Sequence, residues 1–270
     1  METAVPSLPA DKPAETPEYG LLTLEELDNL PEPELEWYAP YWVPVGTKTV
    51  LCAYPKTGKT ILLFHILKSI LNGEEFCGGK CTPAKVVYLS EQTQFEFKKQ
   101  IEEVPGLTGH PNFSVLLAER QDPMISSWAQ TLHWADDEMK KRDAKILVVD
   151  TFLSYAKLPE DGENDSATIQ KALNEMNFLF KDPYRSVVVL HHTCKPSKDK
   201  RGETLDPLAI EAVRGSGGFV GGAGHIALMH GKPKSTVRNF TFYGRHLHGA
   251  TMEMVLDKNK SLYHMTSYSR

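Results

Sequence analysis

Residues 53–60, AYPKTGKT, set a glycine, a lysine and a threonine side by side at a spacing suited to phosphate. Such a loop turns its backbone N–H groups inward, and the helix behind it aims its positive end at the same anion. Gly58 lets the backbone approach closely and take unusual dihedrals. Lys59 offers a point charge to the β- and γ-phosphates, and the Thr60 hydroxyl is a ligand for Mg²⁺. Pro55, Lys56, Thr57 and Ile61 complete the expected nucleotide contact. Ala53 stands where the pattern GxxxxGK[ST] opens with glycine, and a methyl at a strand end is tolerable while its dihedrals stay allowed. The expected ligands are ATP and Mg²⁺; the alternative is an ordinary turn.

Further along, KILVVD ends on Asp150, a carboxylate leaving an apolar strand, where it can join Thr60 in holding Mg²⁺. VVYLSE delivers Glu91, a candidate base for activating water near the γ-phosphate. VVVLHH ends on His191 and His192. Adjacent strand residues face opposite ways, so one of the pair can meet the nucleotide while the other packs. Cys77 and Cys81, in CGGKC, read as free thiols in a turn, with half of a zinc site as the alternative.

These residues need strands to carry them and helices to cover the strands. The expected strands are KTVLCA (48–53), AKVVYLS (84–90), NFSVLLAE (112–119), AKILVVD (144–150) and SVVVLHH (186–192). Between them TILLFHILKSILNG, FEFKKQIEEV, SSWAQTLHWADDEMKKR and ATIQKALNEMNFLF carry helical spacing. That alternation predicts an α/β fold with a mostly parallel sheet and helices on both faces. Four closely set strands after residue 224 are expected as an antiparallel extension. Residues 1–34 are expected to be a disordered extension with one short helix capped by Thr23 and Glu26, and residues 35–270 a single ATPase domain.

A net charge of −5 gives no overall pull towards nucleic acid, so any such contact must be local. Lys195, Lys198, Lys200 and Arg201 form a basic cluster in a Gly-, Pro- and Ser-containing segment that could track DNA phosphates. No run is apolar enough for a membrane span, and the N-terminus lacks the form of a signal peptide. With four cysteines, the expectation is a cytoplasmic location and no membrane partner.

AYPKTGKT, VVYLSE, KILVVDTF, DGENDSATIQKAL, VVVLHHTCK and VRGSGGF follow one another in order. Through them residues from about 35 to 250 resemble the RecA-like ATPases, and most closely the RepA-type hexameric replicative helicases of plasmids. The resemblance implies a homo-oligomeric ring, hexameric, with ATP at the subunit interfaces and single-stranded DNA in the centre. It implies Glu91 as the catalytic carboxylate, Asp150 as the Walker B residue and His192 as the sensor. Arg245 would reach a neighbour's γ-phosphate, with Arg238 as the alternative. Gln92 stands where relatives often carry a second acid. A nucleotide-controlled binding module with slow hydrolysis and a small-molecule kinase are the competing functions.

Overall fold

The computed structural model describes residues 21–30, 36–159, 162–193, 206–213, 215–232, 235–245, 247–257 and 262–270. The chain divides into two compact units, Met1–Glu32 and Pro33–Arg270. In the first, helix α1 (Leu24–Asp28) begins with the expected reciprocal cap, Thr23 and Glu26 each bonding the other's backbone.

The second unit opens with a small hairpin, β1 (Trp37–Ala39) and β2 (Val43–Pro44), and then β3 (Lys48–Ala53) and α2 (Lys59–Asn72). A second hairpin, β4 (Glu75–Phe76) and β5 (Gly79–Lys80), precedes β6 (Val86–Ser90), α3 (Gln94–Ile101) and β7 (Phe113–Leu116). Next come α4 (Trp128–Arg142), β8 (Ile146–Asp150), α5 (Phe152–Ala156), α6 (Ser166–Asn174) and β9 (Ser186–His192). The described chain finishes with α7 (Ser216–Gly222), β10 (His225–His230), β11 (Val237–Gly244), β12 (Thr251–Asp257) and β13 (Leu262–Ser269).

Nine strands form one sheet in the order β13-β12-β11-β10-β3-β9-β8-β6-β7. From β10 to β7 every neighbouring pair is parallel, and β11, β12 and β13 are added antiparallel. This is the RecA-like architecture, with one refinement: β10 pairs parallel with β3, so the antiparallel extension starts at β11. Along β3 successive side chains alternate between two cores. Leu51 and Ala53 join Leu63, Phe64, Tyr88 and Phe242 on one face, while Val50 and Cys52 join Leu132, Phe152 and Leu173 on the other. A strand buried on both faces has no polar row to expose, which is why VLCA, after Lys48 and Thr49, reads as a continuous apolar run.

Helix α2 starts behind Gly58, held at φ 96, and stops at Gly73, φ 64, whose N–H returns to Ile70 O. Both glycines occupy left-handed backbone that a side chain would strain. The stretch NFSVLLAE departs from its expectation: β7 ends at Leu116 and Ala118–Arg120 coil into a 3-10 turn. ATIQKALNEMNFLF likewise forms an α-helix only to Asn174 and continues as a 3-10 turn over Glu175–Lys181. Cys77 in the turn of the β4–β5 hairpin and Cys81 just after β5 are buried free thiols, and burial pushes both up to about 12. They pack as small apolar groups.

Candidate active site

In a parallel sheet the strands deliver their last residues to one edge, and here β3, β6, β8 and β9 converge there. The neighbours in space are far apart in sequence. Lys59, the first residue of α2, is 6% exposed; its Nζ donates to Ala53 O at 3.1 Å and lies 3.1 Å from His192 Nδ1. An ammonium can only donate, so the imidazole accepts through Nδ1 and carries its proton on Nε2. Burial pulls the Lys59 pKa down to about 8, with Asp150 and Glu91 acting in the other direction.

Thr60 Oγ1 donates to Asp150 Oδ2 at 3.1 Å, and Tyr88 OH donates to the same oxygen at 2.6 Å. Asp150 is buried, and burial raises its pKa against the pull of the two hydroxyls. Among the described residues no lysine or arginine forms an ion pair with it. A buried carboxylate with a hydroxyl beside it, and the Lys59 charge near but in no contact ion pair with it, suits a hard divalent cation. Mg²⁺ takes one or two protein oxygens and completes its shell with phosphate and water, so Thr60 and Asp150 fit the group.

Glu91 follows β6, and its N–H donates to Asp150 O at 2.8 Å, tying the two strand ends together. Its Oε2 accepts from Thr151 Oγ1 at 2.8 Å and from Ser154 Oγ, and the Asp150–Thr151 peptide is cis. Beside it opens a polar cavity of about 600 Å³ lined by Glu91, Gln92, Glu96, Gln100, Gln121 and Ser154. His191 turns the other way and packs between Phe152 and Phe219, ring centroids 6.3 and 4.3 Å away. The histidine pair thus divides as strand alternation requires.

Arg238 and Arg245 sit at opposite ends of β11. Arg245 lies by the start of β3, where its N–H donates to Gly224 O and its side chain shares a cavity of about 360 Å³ with Lys48 and Asn177. It does not approach the phosphate loop of the same chain. Arg238 does: its Nε donates to Thr57 O at 2.9 Å. Lys195, Lys198, Lys200 and Arg201 lie outside the described residues. The flanks of their segment are visible, because Thr193 bridges to Val213 and its N–H donates to Ala53 O at 3.2 Å.

A family model for an AAA domain matches residues 12–198, the stretch that runs through β3, α2, β6, β8 and β9. The chain belongs to that AAA-domain family. It is a P-loop, nucleotide-binding ATPase domain. No curated protein matches the chain. No helix among the described residues of this AAA domain is long and apolar enough to cross a membrane.

Four contacts of the site had no motif to announce them. Tyr88 is the one hydroxyl-bearing side chain amid VVYL, and a buried tyrosine needs a partner, which was the available signal. Thr151 and Ser154 directly follow Asp150 in DTFLS. Arg238 stands 181 residues from the loop that it touches, and nothing in the spacing forecasts that contact.

Proposed function

We propose that this AAA domain is a Mg²⁺-dependent, RecA-like ATPase that works as a homo-oligomeric ring, hexameric in the RepA manner, on single-stranded DNA in the cytoplasm. The observation that carries the reading is the Lys59 ammonium held between Ala53 O and His192 Nδ1. ATP would draw Lys59 onto its β- and γ-phosphates with the loop N–H groups of residues 56–61. Thr60 and Asp150 would hold Mg²⁺, which when bound offsets phosphate charge. Glu91 orients a water and takes its proton, for which its carboxylate must leave Thr151 and Ser154. His192, relieved of Lys59, can report the γ-phosphate to Thr193 and the segment beyond it. Arg245 would serve a neighbouring subunit's site, since it faces away from its own.

The test is the ATPase rate with and without single-stranded DNA, measured beside the mass of the assembly. Replacing Lys195, Lys198, Lys200 and Arg201 by serine is expected to weaken DNA binding and flatten its salt dependence, because fewer counterions are released. An unaltered salt slope removes these four residues from the DNA interface. A second reading, an ATP-controlled binding module with slow turnover, is favoured by the two hydroxyls that occupy Glu91 Oε2. Turnover that DNA leaves unchanged selects this second reading.

A further inference from the structure

Arg238 has five N–H donors, and three of them are spent on carbonyls. Nε donates to Thr57 O at 2.9 Å, and Nη1 donates to Ser235 O at 2.6 Å and Val237 O at 2.8 Å. These bonds fix the plane of the guanidinium. Nη2 has no protein partner among the described residues, and it lies 3.7 Å from the point where a Cβ on Gly58 would stand. No carboxylate among the described residues forms an ion pair with Arg238 either, although the side chain is half-buried. Gly231, at the end of β10, leaves the space through which the side chain passes. A Cβ there would stand 2.7 Å from Arg238 Cδ and 3.0 Å from Nη1. A guanidinium without countercharge is thus aimed, two donors free, at the rim of a loop whose ligand is a polyanion.

We propose that Arg238 binds nucleotide in cis, its Nη2 donating to the phosphate chain held on the loop of the same subunit. The inference rests on the ATP site proposed above and adds a ligand to it from β11, two strands away from β3 in the sheet. It also ties β11 to the nucleotide, because the same side chain holds Thr57 O and the backbone before and at the start of that strand.

The experiment is calorimetric titration of the full chain with pyrophosphate and with ADP, each with Mg²⁺, alongside the ligand-free melting temperature. Arg238→Gln keeps an amide donor for a carbonyl but loses the charge. Its affinity for both ligands is expected to fall about tenfold, the loss typical of a charge-assisted hydrogen bond. Arg238→Lys keeps the charge and is expected to lose less than half of that on a logarithmic scale. Gly231→Ala, which leaves every loop residue in place, should push Arg238 aside and weaken pyrophosphate in the same direction. Unchanged pyrophosphate affinity in Arg238→Gln overturns the inference. So does an equal loss in the Gln and Lys variants with a lowered ligand-free melting temperature, since that is the mark of a brace that touches no ligand. Failure of the wild-type chain to bind either probe overturns the nucleotide site itself and the inference with it.

Discussion

Lys59 is held where its charge is costly until a phosphate arrives. Its pKa in the folded chain, about 8, lies below the ordinary 10.5 because burial disfavours the ammonium. That cost to folding is present in full below about pH 8 and fades as pH climbs towards the unfolded value. Phosphate needs the ammonium, so nucleotide binding above about pH 8 must take up a proton. The expected result at about pH 8.5 is a binding heat that changes with the ionisation heat of the buffer, and ATP affinity that falls with rising pH by up to about tenfold per unit. Lys59→Ala should abolish both the proton uptake and the binding. Glu91→Gln is expected to keep ATP and lose about 10²- to 10⁴-fold in kcat, read by single-turnover hydrolysis. Normal turnover in that variant would pass the base role to another carboxylate. At this scale the sequence was legible where chemistry imposes residue type at short spacing, as in residues 53–61. Tyr88, Thr151 and the cis contact of Arg238 with Thr57 escaped because their partners come from distant segments, and a contact across 62, 60 or 181 positions leaves no local pattern.

Helices α6 and α7 approach closely because α7, SGGFVGG, has glycines on the side that meets α6. A Cβ at Gly218 would stand 2.4 Å from Ser166 O and 2.8 Å from Ile169 Cβ; one at Gly222 would stand 2.8 Å from Leu173 Cβ. Gly218→Ala gains about 1 kcal/mol of helix propensity. Overpacking against backbone costs typically 1–3 kcal/mol and more where nothing can yield, as for a carbonyl in a helix. The clash wins, and the expected net loss is about 2 kcal/mol in urea unfolding, against about 0.5 kcal/mol or less for the exposed Val220→Ala. An equal effect of the two substitutions would mean that α7 is not seated on α6 in solution. Strands were the most legible elements, and KTVLCA and SVVVLHH match β3 and β9 residue for residue. What composition does not encode is where an apolar run stops being extended: AER after β7 and EMNFLF after α6 both tighten into 3-10 turns. Nor does HIALMHG reveal its direction, because β10 lies parallel to β3 only through the crossover of α7.

The whole ATPase domain is organised around one strand. β3 is fifth in a row of nine, covered on both faces, and its final carbonyl is the acceptor shared by Lys59 and Thr193. The order β3-β9-β8-β6 also explains why the motifs could be read as one site although they span residues 53 to 192: each lies at, or a few residues beyond, the end of a parallel strand. Centrality has a consequence for hydrogen–deuterium exchange. The amides of Val50, Leu51 and Cys52 can exchange only when the fold opens globally, whereas β13, an edge strand with mostly exposed side chains, opens by fraying. A ligand that binds only the folded chain slows globally exchanging amides by the factor 1 + [L]/Kd and does nothing for those that fray. Saturating ADP should therefore slow β3 by that factor, taken from calorimetry, and leave β13 unchanged. Slowing confined to the loop would instead show that its strand opens without the rest of the sheet. With the strand as the last part to open, the isotope record of three buried amides, none of which touches the nucleotide, becomes a direct gauge of how tightly the nucleotide is held.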